Sequence, residues 1–382
     1  MKRNIAKSLN VEPTLAVKEI ATQFSHIIND IKCITFFASY KYNSDSIAAA
    51  MAEQFPNIEC FGATSNKEIA TNGIISTNSL VAFAFTSDLV EDFHIEVVEN
   101  LSSDIDINHI VANFEKHYDD ALHNLNPNKY FGLAFMDFNS KAEEKLFDEL
   151  GDFSNVVFLG ATASDYWMFQ NTGIYAKGKY HKDAAVLCLF KSKVKFGFEK
   201  IETVVENAEP LIVTKSDMNN KLLYEIDGRP AAEVYCEANN LDYQKLSKEN
   251  GPHHYIDFQK HPVGVKIEGE IFLRVVHCVH KESQGLVMVC NIPEGLPVHF
   301  FRTDNIMERT KTQLENIRKK YNDINYMLSF ACSNTYEDFN RESSAEEYAS
   351  LYDGIDCLGF FTYGEYYTVP VNHTTTLLVF EK

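Results

Sequence analysis

Two carboxylates, a threonine and a cysteine stand where apolar runs give way to chain reversals, the kind of place where a small polar ligand can be oriented. Thr64 follows Gly62 in NIECFGATSN (57–66), and Asp165 closes NVVFLGATASD (155–165). Cys332 lies at the end of YMLSFACSN (326–334), and Glu365 follows Gly364 in CLGFFTYGEYYTVPVNHTTT (357–376), which also contains Asn372. Glycine lets another group approach the backbone closely. A carboxylate at such a turn can hold a small ligand, or it can be a solvated turn residue. It acts as a general base only with a raised pKa and a reacting group within hydrogen-bond reach. Thr64 and Ser65 form a hydroxyl pair, but nothing at fixed spacing supplies a base for a nucleophile.

Metal chemistry has weaker footing. His277 and His280 in HCVH point to opposite faces of a strand and chelate together only across a bulge. His253 and His254 belong to a polar stretch, 241–260, expected to be an exposed excursion, and His261 stands at its end. A haem iron needs a single proximal histidine in an apolar, aromatic pocket. His299 in PVHFF, His277 in RVVHCV, His373 beside the last glycine turn and His94 in DFHIEV are the candidates, each equally readable as a core or edge histidine. The chain contains no G-x-G-x-x-G, G-x-x-x-x-G-K-[ST], G-x-S-x-G or H-E-x-x-H pattern.

The elements that must position these residues repeat three times. CITFFAS (33–39), a helical 46–55 and NIECFGATSN form one unit. YFGLAFMDF (130–138), a helical 141–150 and NVVFLGATASD form a second. YMLSFACSN, a helical 345–351 and IDCLG (355–359) form a third. Each reads strand, helix, strand, glycine turn, and so predicts repeated βαβ units within larger layers. Ligands of open α/β sheets bind beyond the carboxyl ends of the strands. That placement would gather Thr64, Asp165, Cys332 and Glu365.

The remaining pattern predicts helices over 15–24, 107–125, 229–236 and 306–321. Strands are expected at 94–98, 184–190, 263–267, 270–279, 285–292 and 298–302, with a long apolar run at 73–85. The fold class expected is α/β or α+β: two layered domains with mixed β-sheets flanked by helices, the first closing near Lys200.

The 382 residues are enough for two domains with sizeable cores. The 28 Phe and 19 Tyr beside one Trp imply aromatic cores or an aromatic-lined pocket. A net charge of −19 argues against nucleic acid and anionic membrane surfaces as partners. No apolar run approaches the ~18 residues that span a bilayer, and the N-terminus does not read as a signal peptide. Eight cysteines without a C-x-x-C, mostly inside apolar runs, fit buried thiols in a reducing cytoplasm.

EIDGRPAAEVY (225–235), HPVG (261–264), FLRVV (272–276), IPEG (292–295) and GFFTYGE (359–365) with Asn372 and Thr374 resemble the C-terminal half of the FIST sensory domain. FGATSNKEI (61–69) and LGATASDYW (159–167) resemble its N-terminal half. The resemblance runs from about residue 14 to 380. It implies a FIST N-like domain over 14–200 and a FIST C-like domain over 201–382. It also implies a cytoplasmic, non-enzymatic sensor that binds a small ligand, such as an amino acid or similar metabolite, and signals in trans to a partner. Some members are haem proteins that sense nitric oxide and control a histidine kinase, which makes haem the second expectation. An enzyme using Asp165 or Glu365 as general base is the third.

Asp165, Cys332, Gly364 and Glu365 fall on positions similar to recurring ones in the family. With Gly62, Thr64 and Asn372 they make up the expected ligand-binding set. After Cys332 the family tends to carry Gly-Arg, whereas Ser333-Asn334-Thr335 stand here. This removes the bidentate clamp an arginine would offer a carboxylate.

Overall fold

A computed structural model describes residues 4–71, 73–103, 105–248, 255–267, 269–342 and 345–382. The chain forms two compact units. One comprises Met1–Ile201, Lys311–Pro370 and Thr375–Lys382; the other comprises Glu202–Thr310 and Val371–Thr374. Mixed and antiparallel sheets flanked by helices make the fold a mixed α/β one, as the pattern predicted.

The first unit contains all three sequence repeats. In the first, β1 (Ile31–Ser39) leads through α1 (Ser44–Gln54) to β2 (Glu59–Ser65), with a short β3 (Glu68–Ala70) after the turn. In the second, β4 (Tyr130–Met136), α2 (Glu143–Gly151) and β5 (Phe158–Thr162) are followed by β6 (Ile174–Ala176). In the third, β7 (Ile324–Cys332), α3 (Ser333–Glu342), α4 (Ala345–Ser350) and β8 (Asp356–Thr362) are followed by β9 (Glu365–Tyr367). The long strands of each repeat pair in parallel, as βαβ units require. Local signals start the helices. Asn43 accepts the Ser46 N–H at 2.9 Å to cap α1, and α2 buries Leu146, Phe147 and Leu150 on one face.

The short strands do not stay with their own repeats. β3 adds antiparallel to β8, β6 adds to β2, and β9 adds to β5. Each repeat therefore donates an arm to another, and the three exchanges close a cycle. The position opposite each arm's middle residue is a glycine: Gly62 faces Tyr175, Gly160 faces Tyr366 and Gly359 faces Ile69. A Cβ there would stand 1.7 Å from the Phe36 oxygen, 1.8 Å from the Ala134 oxygen and 1.6 Å from the Ser329 oxygen, respectively. In each repeat glycine is required by close approach to the parallel neighbour.

The repeat also explains the phenylalanines. Phe37, Phe135 and Phe330 follow the residues paired with those glycines, and the three rings form a triangle. Their centroids are 5.2, 5.9 and 5.5 Å apart, with interplanar angles of 79°, 88° and 68°. Edge-to-face pairs of this kind each add about 0.5–1.5 kcal/mol beyond area burial. They sit in one core shared by the three sheets, with Phe61, Phe83, Phe85, Phe131, Phe360 and Phe380.

Several expectations are revised. The 107–125 helix stops at Tyr118, because Asp119 turns left-handed (φ 52°), and a short 3-10 turn at Leu122–Asn124 follows. The 73–85 run divides into Ile74–Ser76 and Leu80–Thr86. The third repeat has an additional helix, Ser333–Glu342, ahead of the expected one.

The second unit is one sheet, ordered Glu270–Arg274, Val263–Ile267, Pro297–Thr303, Val204–Asp217, Leu222–Ile226, Gly285–Met288 and Val276–His280. The expected single strand over 270–279 is split at Val275, so its halves occupy opposite ends of that order. Helix Ala231–Asn239 begins two residues later than expected, after Pro230. The stretch 241–260 is not uniformly exposed: Leu246 and Phe258 are buried beside Tyr235 in the unit's core. His253 and His254 lie outside the described residues.

Candidate functional site

At the carboxyl ends of the first unit's parallel strands, Asp165 organises a strained loop. Tyr166, Trp167 and Phe169 have φ of 60°, 63° and 54°, a region bulky residues avoid unless their surroundings hold them there. The holding group is the fully buried Asp165 carboxylate. Oδ1 accepts the Phe169 N–H at 2.9 Å, and Oδ2 accepts those of Gln170 and Asn171 at 2.8 and 2.7 Å. Tyr363 adds a hydroxyl donated to Oδ1 at 2.9 Å and itself receives the Trp167 N–H. Burial and the nearby Asp165 charge push the Tyr363 phenol well above its usual range. Trp167 and Phe169 each lie 5.0 Å from the Tyr363 ring, and Phe138 lies 5.2 Å from Phe169.

Asp165→Asn sets a donor against N–H groups and is expected to cost about 2 kcal/mol. Denaturant titration should show that loss, with the 166–171 loop released. An unchanged midpoint would show that the carboxylate does not hold the loop.

Lys67, Tyr166 and Tyr336 complete this end of the unit. The Lys67 side chain is buried, at 5 % exposure, and its Nζ lies 4.9 Å from the Tyr166 ring centroid and 4.1 Å from that of Tyr336. Desolvation lowers its pKa, opposed by Glu337 and Glu68. Tyr336 belongs to the first turn of α3, where Ser333, Asn334 and Thr335 are buried. The Ser333 and Thr335 hydroxyls and Asn334 Oδ1 have no hydrogen-bond partner among the described residues. Glu68, the residue after Lys67, is fully buried with its pKa raised by desolvation to about 7.

The expected ligand residues divide in two. Thr64, Asp165, Cys332, Gly364 and Glu365 all belong to the first unit at or just beyond strand ends, and apart from Gly364 they are buried. Several of their polar groups serve the fold. Thr64 Oγ1 accepts the Gly173 N–H at 3.2 Å, and the Gly364 carbonyl accepts the Thr162 N–H at 2.9 Å. Glu365 opens β9 opposite Ala161 at 0 % exposure, so it is not a solvated turn residue. Gly62 lies within β2, the space over it filled by the Phe36 carbonyl. Asn372 is in the second unit. There its N–H reaches the Leu273 carbonyl at 3.2 Å and its Oδ1 takes the Val275 N–H at 3.4 Å, where the split strand breaks.

Sequence reasoning did not single out Lys67, Glu68, Tyr363 or α3. Asn334 followed three residues later by Glu337 reads as a capping pattern, but the helix begins one residue earlier, at Ser333, and Asn334 does not cap it.

Three of the haem candidates, His299, His373 and His277, are in the second unit, and His94 is in the first. His299 Nδ1 lies 2.5 Å from Glu206 Oε1, and the ring is buried. His373 is 0 % exposed with Nε2 2.9 Å from the Gln259 carbonyl. His277 is exposed, at a bulge between Val276 and Cys278. Two packed, bonded rings and one on an open strand face do not fit a porphyrin site. His94 is paired with Glu96 at 2.6 Å. Among the described residues no group of three or more His, Cys, Asp or Glu is placed to hold a metal ion.

A cleft of about 510 Å³ lies elsewhere in the first unit, lined by Phe36, Met51, Phe55, Cys60, Tyr175 and Lys179. It contains none of the expected ligand residues. No helix among the described residues is long and apolar enough to cross a membrane, and all eight cysteines are free thiols.

Models of two consecutive domains match the chain: the FIST N domain over residues 32–229 and the FIST C domain over 231–368. The chain belongs to the FIST family. FIST domains are sensory domains of signal transduction. The FIST N match contains Lys67, Glu68 and Asp165; the FIST C match contains Ser333–Thr335 and Tyr363–Glu365. The uncharacterized protein MJ1623 of Methanocaldococcus jannaschii is 28% identical over 204 residues, which is 50% of this chain and 38% of that protein. Phosphoribosylformylglycinamidine synthase II of Thermotoga maritima aligns over 99% of this chain and 72% of its own at 9% identity. The TM-score of 0.19 is too low to relate the folds.

Proposed function

We propose that this FIST protein is a cytoplasmic, non-enzymatic sensor that binds a small metabolite, an amino acid or a similar compound, at the strand ends of its first unit. It would signal in trans to a partner protein such as a histidine kinase. The observation that carries the reading is the strained 166–169 loop clamped by Asp165 and Tyr363, beside buried Lys67. Strain of this order persists where surrounding structure over-determines it, and it clusters at ligand clamps and switch regions. A loop with a second available conformation can be moved by any ligand that binds one state better.

Trp167, the chain's single tryptophan, is in that loop and stacked on Tyr363, so its emission reports the site directly. Amino acids and organic acids should be screened for a rise in melting temperature, which a native-state ligand produces. A hit should also shift the Trp167 emission. If no compound does both, the reading fails.

A further inference from the structure

Lys67 has no carboxylate in ion-pair contact among the described residues. Although buried, its ammonium makes no ion pair and no side-chain hydrogen bond with a described residue, and its contacts are the faces of Tyr166 and Tyr336. Tyr336 brings it to the first turn of α3, whose leading N–H groups have no acceptor within the helix. A helix N-terminus carries partial positive charge.

Three further polar atoms lie buried and unpartnered in the same turn, Ser333 Oγ, Asn334 Oδ1 and Thr335 Oγ1, and two of these are hydroxyls able to donate. The other charges facing Lys67 are Glu68, Glu337 and Lys41. Glu68 is engaged by Ser65 and Ser79, with Oε1 2.6 Å from Ser65 Oγ.

We propose that this turn is a receptor for a small organic carboxylate, with Lys67 supplying the charge and Ser333, Thr335 and the α3 N–H groups supplying donors. The proposal rests on the ligand-binding reading above and names the chemistry of that ligand. A helix N-terminus with spare donors in its first turn is suited to an anion, and one ammonium without an ion pair matches one negative charge. Tyr166, at 53 % exposure, and Tyr336 give flat walls for the body of the molecule.

Acetate and benzoate are compared with acetamide and benzamide at matched ionic strength, on wild type, Lys67→Met and Ser333→Ala/Thr335→Ala. The expected result is that the carboxylates bind wild type, shown by calorimetry and Trp167 emission, while the amides bind at least about tenfold more weakly. Lys67→Met removes a buried charge, so its melting temperature without added anion holds or rises, while carboxylate affinity falls about tenfold or more. The double variant leaves Lys67 in place and gives the same direction of loss should Lys67→Met fail to fold. Amides binding as well as carboxylates, carboxylates binding the folded variants as well as wild type, or no carboxylate binding to wild type each overturns the proposal. The ligand-binding reading is judged separately, because the metabolite screen scores hits of any charge.

Discussion

Gly359→Ala is expected to abolish folding. The new Cβ would lie 1.6 Å from the Ser329 main-chain oxygen, and a main-chain carbonyl in a parallel ladder cannot move aside as a side chain can. Relief would require pulling β8 from β7, which breaks the ladder that positions α3 on one side and β9 on the other. Overpacking typically costs about 1–3 kcal/mol where side chains absorb it. Here the backbone must absorb it, and a loss of about 5 kcal/mol would exhaust the margin of many domains. Gly160→Ala, at 1.8 Å from the Ala134 oxygen, should behave alike. Gly151→Ala is the control: apart from its chain neighbours and its own helix backbone, nothing lies within 4 Å of the added Cβ, so it should stay within about 0.5 kcal/mol of wild type. Soluble yield and melting temperature decide the matter. A well-folded Gly359→Ala would mean that the strands are not this closely packed.

The three repeats were legible because each combines two apolar runs with a glycine, and both features have local physical causes. What the sequence did not reveal is where the short arms go. β3, β6 and β9 are three residues each, too short for a periodic signal, and their partners are strands of other repeats, which only tertiary pairing determines. Asp165 was found because it follows a glycine turn, but its work of holding three N–H groups of a left-handed loop depends on φ values that YWMF does not advertise. Lys67 was passed over because lysine is ordinarily an exposed residue, and its burial follows from the arm exchange. Helix α3 was missed because its apolar positions are sparse, Tyr336 and Phe339, and the resemblance drew attention to the absent arginine instead. The ligand set read from motifs gathered residues of both units, whereas Asn372 is occupied with a strand break in the second.

Glu68 makes the protein's stability depend on pH in a direction opposite to most carboxylates. It receives Ser65 Oγ at 2.6 Å, Ser79 Oγ at 2.5 Å and the Ser79 N–H at 3.2 Å, yet desolvation outweighs these bonds and the Lys67 charge, and its pKa rises from 4.5 to about 7. Below 4.5 the carboxyl is protonated in both folded and unfolded chains, and no differential arises. Between 4.5 and 7 the unfolded chain releases a proton that the folded chain keeps, so stability falls as pH rises, and above 7 the full deficit is present. A shift of 2.5 units corresponds to about 3 kcal/mol. Glu68→Gln imitates the protonated acid, and its amide can donate to Ser65 while its oxygen accepts from Ser79. The variant should match wild type near pH 4.5 and exceed it by about 3 kcal/mol at pH 8.5. Lys7, Tyr42 and Lys67 also feel the Glu68 charge, and the variant removes that coupling together with the carboxylate, so the measured difference contains both. Denaturant titrations at the two pH values measure it. An equal difference at both would place the charge of Glu68 in contact with water and remove the buried carboxyl from this account.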